Sequence, residues 1–309
     1  MIATVTLNPS LDEWVELPAL RVGQLNRATG FARYPGGKGI NVSRVVHELG
    51  GRTRAYALSG GEDGLILSHR LRSLRIRHEF VTVRGPTRNN YKILAGGILT
   101  EINTAGPAAS ASALDALRRR FLRRPLPRCV VLSGSLPPGA PPSVYRDWIR
   151  SIRPLGLPTV LDASGTALRL GLEAGPWLIK PNRDEAEELL GQRVSSPRRA
   201  AGAVLDLLRL GPRVVILSMG REGAVLGADG LAGCWQALAP RVKSRSAVGA
   251  GDSLVGGVVR AWTRGAGWLD AIRWGVACGA ATAMAPGTEL CRRQDVERLL
   301  PRVAVRRIA

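Results

Sequence analysis

The sequence predicts an α/β protein, a mostly parallel sheet with helices on both faces and a small β-sheet beside it. Short apolar runs alternate with stretches of helical periodicity along most of the chain, the pattern of strands joined by crossover helices. Glycine-rich stretches stand just ahead of two of the predicted helices, where parallel sheets bring ligands to helix N-termini. Two extended stretches, 13–34 and 79–103, interrupt the alternation and read as β-ribbon.

In chain order, residues 2–7 are the first strand-like run, followed by the first ribbon and by helical periodicity over 41–49. The second ribbon carries Gly96-Gly97, a two-residue hairpin turn between alternating apolar residues. Apolar runs at 129–132, 159–161, 177–179 and 214–217 predict further strands, and residues 142–152, 184–190, 197–210 and 253–263 have helical spacing. No internal repeat, low-complexity tract or linker divides the chain. One domain spanning 1–309 is therefore expected, with a β lid inserted as two pieces, about 13–34 and 79–103.

A chain of 309 residues with 45% hydrophobic content can bury a large core. The opening MIATVTLNPSLDEW has no basic leader, its apolar run is interrupted at Asn8-Pro9, and no apolar run reaches the ~18 residues of a membrane span. A cytoplasmic protein without membrane association is expected. The four cysteines form no C-x-x-C pair, which argues for buried free thiols rather than zinc or disulfides. The net charge of +20 raises the possibility of a nucleic-acid partner, but the arginines are scattered from Arg21 to Arg307. A solvated basic surface is the expectation. Only four of the 44 basic residues are lysines, Lys38, Lys92, Lys180 and Lys243, so a lysine kept against that bias invites a role.

Residues 34–51, YPGGKGINVSRVVHELGG, place glycines before an amphipathic helix expected to start near Asn41, so that backbone and free N–H groups can approach an anion. The stretch is no P-loop, because G-x-x-x-x-G-K-[ST] has no match. Gly249-Ala250-Gly251-Asp252 begins like a dinucleotide fingerprint, but its third glycine position is Leu254. Gly249, Ala250 and Gly251 can instead form a concave nest of N–H groups at a helix N-terminus. Asp252 is then either a helix cap or the carboxylate that takes a proton from an acceptor hydroxyl in phosphoryl transfer.

Seven short strings occur in an order that resembles the ribokinase-like carbohydrate kinases, and within them the phosphofructokinase B group. They are TLNPSLD, GGKGINVSR, TRNNYK, SGSLPPG, KPNRDE, SMGREGA and VGAGDSLVGG. The resemblance implies a ribokinase-like fold with a β lid and ATP-dependent phosphorylation of a ketohexose monophosphate, first of all fructose 1-phosphate to fructose 1,6-bisphosphate. It implies Asp252 as catalytic base, with Gly249, Ala250 and Gly251 as the anion hole. Asp12, Gly36, Gly37 and Asn41 match the sugar site, Arg88 the holder of the substrate's phosphate, and Ser135 a further hydroxyl on the substrate side. Asn90 belongs to the same TRNNYK string, and Lys38 and Lys92 match auxiliary phosphate contacts. Lys180, Asn182 and Glu185 fall on the stretch that orders Mg²⁺ around ATP, with Glu185 on the metal side; Asn182 and Glu185 also have the spacing of a helix capping box. Ser218, Gly220 and Gly223 match a nucleotide-binding turn, and residues 281–289 a loop beside the adenine and a monovalent-cation (K⁺) site. A homodimer formed through the lids is expected.

GGKG and TEINTAGP (100–107) look more like the 1-phosphofructokinase and tagatose-6-phosphate kinase branch, whereas VKSRSAVGAGDS and GTELC look more like the minor 6-phosphofructokinase. The alternatives to a fructose 1-phosphate kinase are those two activities, a kinase for an unphosphorylated sugar or nucleoside, and a nucleic-acid-binding protein on the same fold.

Overall fold

The computed structural model describes residues 1–309, whose fourteen strands form two sheets. The small sheet contains β2 (Ser10–Leu17), β3 (Gly30–Gly36), β6 (Arg88–Ala95) and β7 (Ile98–Asn103), in the order β3-β2-β6-β7. In the large sheet β1 (Ile2–Thr6), β4 (Thr53–Ser59), β5 (His78–Thr82), β8 (Cys129–Ser133), β9 (Thr159–Asp162), β10 (Leu178–Ile179) and β11 (Val214–Ser218) run parallel. Three antiparallel strands, β12 (Ala224–Ala228), β13 (Trp235–Ala237) and β14 (Val305–Arg307), extend one edge. The order across the sheet is β14-β13-β12-β11-β10-β9-β8-β1-β4-β5, so the fold is α/β with a mostly parallel sheet and a small second sheet, as the sequence predicts.

Ten helices accompany the sheets: α1 (Lys38–Glu48), α2 (Gly61–Ser73), α3 (Ala111–Phe121), α4 (Val144–Ile152), α5 (Gly165–Leu172), α6 (Arg183–Leu190), α7 (Pro197–Arg209), α8 (Ala250–Trp262), α9 (Trp268–Met284) and α10 (Arg293–Leu299). The central strands are buried on both faces and alternate their side chains between two cores. Val130 and Leu132 of β8 enter the core with α3, α4, α5 and α7, while Cys129 and Val131 enter the core with α1, α8, α9 and α10. All four cysteines are buried and free. No helix is long and apolar enough to cross a membrane.

The structure corrects several expected boundaries. Residues 79–82 belong to β5 at the edge of the large sheet rather than to the second ribbon, because α2 returns the chain parallel to β4. The second ribbon begins at Arg88 and turns at Gly96-Gly97, both at positive φ. The first ribbon starts at Ser10 and is strand only as far as Leu17, resuming at Gly30, so Asp12 lies within a strand. Helix α1 starts at Lys38 rather than near Asn41, which puts Gly37 (φ 106) at its N-cap. Space is tight there: a Cβ on Gly37 would lie 2.8 Å from Thr6 Cγ2 and 3.1 Å from Pro9 Cα.

Candidate active site

After β1 the chain builds β4 and β5 on one side and later β8 to β11 on the other, so β1 and β8 flank the point where the crossovers diverge. Ligand crevices of parallel α/β sheets open at the carboxyl ends of such strands. Here that end collects the start of β2, the N-termini of α1 and α8, Asp162 at the end of β9 and Lys180 just beyond β10.

Asp252 lies in the first turn of α8, whose N-cap Gly249 has φ 77 and would place a Cβ 2.6 Å from Leu290 Cδ2. No side chain caps α8, so Asp252 is not serving as a cap. Its carboxylate is buried, and Oδ2 accepts a hydrogen bond from Asn41 Nδ2 at 2.8 Å. Burial first, and then the neighbouring Asp162 carboxylate, push its pKa up to about 7, against the pull of Lys38, Asn41 and Lys180. The carboxyl group is thereby poised to exchange a proton near neutrality.

Beside it, the fully buried Asp162 receives both Lys38 Nζ (3.2 Å) and Lys180 Nζ (3.4 Å) on Oδ1, and Ser133 Oγ donates to Oδ2 at 3.4 Å. Burial works to raise the Asp162 pKa, but Lys180 and Lys38 together hold it below the ordinary value. Burial likewise opposes the charge on Lys38, and Asp162, aided by Asp252 and Glu185, more than offsets it, so its pKa is raised. The Lys180 ammonium also lies over Gly251, 3.6 Å from where a Cβ there would stand. The crevice thus holds two ammonium groups next to the open N–H groups of α8, a donor set suited to phosphate oxygens.

Asp162 escaped the sequence reading. Its signal was a carboxylate directly following the apolar run 159–161, at what proves to be a strand's carboxyl end.

The small sheet supplies the other wall. Asp12 Oδ1 accepts from Ser10 Oγ (2.9 Å) and from Asn90 Nδ2 (3.1 Å), all three groups being buried. A Cβ on Gly36 would strike this group, 2.5 Å from both Asp12 Oδ1 and Ser10 Oγ. Arg88, part-buried, donates from Nε to the Asn8 carbonyl at 3.3 Å, while Asn8 Nδ2 donates to Ser135 Oγ at 3.2 Å. Asn8 Oδ1 and Asn90 Oδ1 are buried without a hydrogen-bond partner in the protein. Such acceptors are expensive to leave unmet and match the hydroxyl groups of a carbohydrate. Lys92 stands apart, two residues further along β6, buried and ion-paired with Glu101 at 2.6 Å.

On the far side of Lys180, Asn182 and Glu185 form a capping box on α6: Asn182 Oδ1 accepts from Glu185 N, and Glu185 Oε2 accepts from Asn182 N, both at 2.8 Å. The local helix-capping role is therefore realised, and Glu185 Oε1 and Asn182 Nδ2 remain without a protein partner. Ser218 ends β11 and bridges to Asn182, and Gly220 begins the turn before β12. Gly223 has φ 87 and would place a Cβ 1.9 Å from the Ala237 carbonyl oxygen, so the sheet itself already requires glycine there. Loop 285–291 runs back across α8: Cys291 N donates to Thr282 Oγ1, which donates to Ser253 Oγ, and Gly287 packs beside Tyr34 and Trp14 of the small sheet.

The description "pfkB family carbohydrate kinase" matches residues 5–295. The chain belongs to the pfkB family of carbohydrate kinases. The kinase is 35% identical over 306 residues to the 1-phosphofructokinase of Borreliella burgdorferi, covering 99% of this chain and 98% of that protein. It is 37% identical over 308 residues to the 1-phosphofructokinase of Bacillus subtilis, with full coverage of both chains. The structure of phosphofructokinase-2 from Escherichia coli in complex with potassium matches with a TM-score of 0.92 and 31% identity, over 97% of this chain and 98% of that one. The protein is thus an ATP-dependent kinase, and the ammonium groups of Lys38 and Lys180 with the N-terminus of α8 fit a polyphosphate. No cluster of three or more His, Cys, Asp or Glu side chains is built to hold a metal ion. One free carboxylate oxygen on Glu185 suits a Mg²⁺ ion carried mainly by phosphate oxygens and water.

Proposed function

We propose that the kinase transfers the γ-phosphoryl group of ATP to the free 6-hydroxyl of fructose 1-phosphate, giving fructose 1,6-bisphosphate and ADP, with Asp252 as general base. The observation that carries this reading is the buried Asp252 carboxylate at the N-terminus of α8, facing the Lys38–Asp162–Lys180 cluster. Asp252 accepts the hydroxyl proton as the oxygen attacks phosphorus; Lys38, Lys180 and the N–H groups of Gly249 and Gly251 neutralise charge on the moving phosphoryl group, whereas the N–H of Ala250, expected in the same anion hole, already donates to the Ala247 carbonyl at 3.2 Å. Lys38 acts at the transferring phosphate, because Asp162 holds it on the Asp252 side of the crevice. Asp12, Asn90, Gly36, Gly37 and Asn41 surround the sugar, Ser135 receives one of its hydroxyls, and Arg88 takes the existing phosphate. Lys92, neutralised by Glu101, sits at the rim.

Asn182 and the turn carrying Ser218, Gly220 and Gly223 border the nucleotide. Glu185 Oε1 is the protein group that would hold Mg²⁺, through water. Bound Mg²⁺ would supply charge neutralisation across the ATP phosphates. A K⁺ ion is assigned beside residues 281–289, and the potassium complex of the E. coli protein supports the choice of ion. A cytoplasmic location, where ATP is supplied, is part of this proposal.

The names of the two bacterial relatives favour fructose 1-phosphate over its isomers. A coupled ADP-release screen over fructose 1-phosphate, fructose 6-phosphate, tagatose 6-phosphate, ribose and adenosine tests the choice. The highest kcat/KM is expected for fructose 1-phosphate, and a preference for an unphosphorylated substrate would overturn the reading. Arg88→Ala should raise the KM for the sugar phosphate by about 10–100-fold with kcat nearly unchanged, since that contact is made in ground and transition states alike. An unaltered KM would show that the phosphate is held elsewhere.

The small sheet is assigned as the lid, its Asp12–Asn90 face toward the crevice. The opposite face exposes Phe31 (61%), Ile98 (72%) and Ile102 (51%), with Tyr91 and Val15 alongside. A second copy of the same face would cover this band in an isologous dimer. The wild type is expected to sediment as a dimer at micromolar concentration and the Val15→Lys/Ile93→Lys double variant as a monomer. A wild type that is monomeric and fully active would remove the lid dimer.

A further inference from the structure

We infer that Arg44 is a positioning residue for phosphoryl transfer, orienting the Asn41 amide so that it donates to Asp252. The inference rests on Asp252 being the base. Arg44 lies on α1 and sends Nη1 to two acceptors, the Pro35 carbonyl at 3.0 Å and Asn41 Oδ1 at 3.1 Å. It forms no ion pair, and its surroundings lower its pKa to about 10 through burial, only partly opposed by Asp12, Glu289, Cys291 and Tyr34. A guanidinium without a carboxylate partner in such a place is an unusual structural choice, because a neutral side chain packs there at less cost in desolvation.

Its chemistry explains the choice. A guanidinium carries only donors, so the Asn41 oxygen must turn toward it. The amide nitrogen is then left facing Asp252, to which it donates at 2.8 Å. A donor in that position favours the ionised carboxylate, the form able to accept a proton. With the amide reversed, its oxygen would face Asp252 and favour the protonated acid instead. Pro35 is the residue just before the Gly36-Gly37 loop, so the same guanidinium ties the sugar loop to the base.

The other charged groups facing Asp252 are Asp162 from β9, Lys38 from α1 and Lys180 from beyond β10. They remain in place when Arg44 is changed. The test is the pH dependence of kcat/KM for Arg44→Met, Arg44→Gln, Arg44→Lys, Asn41→Leu and the Arg44→Met/Asn41→Leu double variant, with Asp252→Asn as control. The acid limb should move up by about one pH unit in Arg44→Met, a roughly tenfold loss below the limb, and by the same or less in Arg44→Gln, whose amide no longer dictates the orientation. Arg44→Lys, which also presents only donors, should keep the limb near its wild-type position. The double variant should shift no further than Asn41→Leu alone, because the two residues act through one contact. A role confined to packing would lower stability without moving the limb, and would add to Asn41→Leu. If Asp252→Asn abolishes turnover while the limb stays fixed in Arg44→Met and Arg44→Gln, the inference about Arg44 fails and the base stands. If Asp252→Asn retains turnover, the base itself is wrong.

Discussion

Asp252→Asn is expected to leave the kinase folded and its KM values little changed while lowering kcat by about 10²–10⁴-fold, the range for loss of a general base. The substitution is nearly isosteric and leaves an oxygen to receive the Asn41 amide, so the anion-binding turn keeps its shape. It should also change how stability depends on pH. The pKa of Asp252 in the folded protein is raised to about 7 from an ordinary 3.8. Between those values the unfolded chain has lost the proton that the folded chain keeps, so stability falls as pH rises through that window. An asparagine does not titrate. The melting temperature of Asp252→Asn relative to the wild type should therefore be highest at about pH 8 and fall back as pH is lowered toward 4, as differential scanning calorimetry would read. Unchanged turnover would remove Asp252 from the mechanism, and a pH-independent gap in melting temperature would show that its carboxyl group is not held protonated by the fold.

The largest loss of stability is expected from Asp162→Ala. Removing this carboxylate leaves Lys180, 5% exposed, without its counter-charge, and Lys38 without its nearest one. Breaking a buried ion pair from one side costs about 3–5 kcal/mol. For a chain of this size that corresponds to a drop in melting temperature on the order of 10 °C. Turnover should fall as well, since both ammonium groups lose the anchor that aims them at the crevice. In Asp162→Ala/Lys180→Met part of the lost stability should return, because the stranded charge is gone, but activity should not. A shift of less than about 3 °C in the single variant would mean that the lysines swing out to water and that the cluster is not a structural anchor.

Much of this site was legible before any coordinates. The strings around Asp12, Gly36, Arg88, Lys180 and Asp252 lie at strand ends and helix starts, where local pattern and ligand chemistry coincide, and the structure brings all five segments to one crevice. Asn182 and Glu185 show the opposite case. Their spacing suited a helix cap as well as metal chemistry; local hydrogen bonding forms the capping box, and one oxygen of Glu185 is left over. Gly223 is explained by the Ala237 backbone that crosses it, a contact no local pattern could disclose. Residues 79–82 read as strand and adjoin the ribbon in sequence, and only their pairing with β4 assigns them to the large sheet.

By itself the sequence determined the strands near 2–7, 129–132, 159–161, 177–179 and 214–217, the helices near 41–49, 142–152, 184–190, 197–210 and 253–263, the hairpin at Gly96-Gly97, and the glycines that let the backbone meet an anion, because each depends on residues within a few positions of one another. Only the tertiary structure decided what Asp252 is. Its hydrogen-bond donor, Asn41, is 211 residues away in the chain, and the carboxylate that raises its pKa comes from another strand end. The same holds for Asp162, whose two lysines come from the start of α1 and from beyond β10. The state of a buried charge is set by the sum of desolvation and a few close partners, and those partners are chosen by the packing of distant segments rather than by neighbours in the chain.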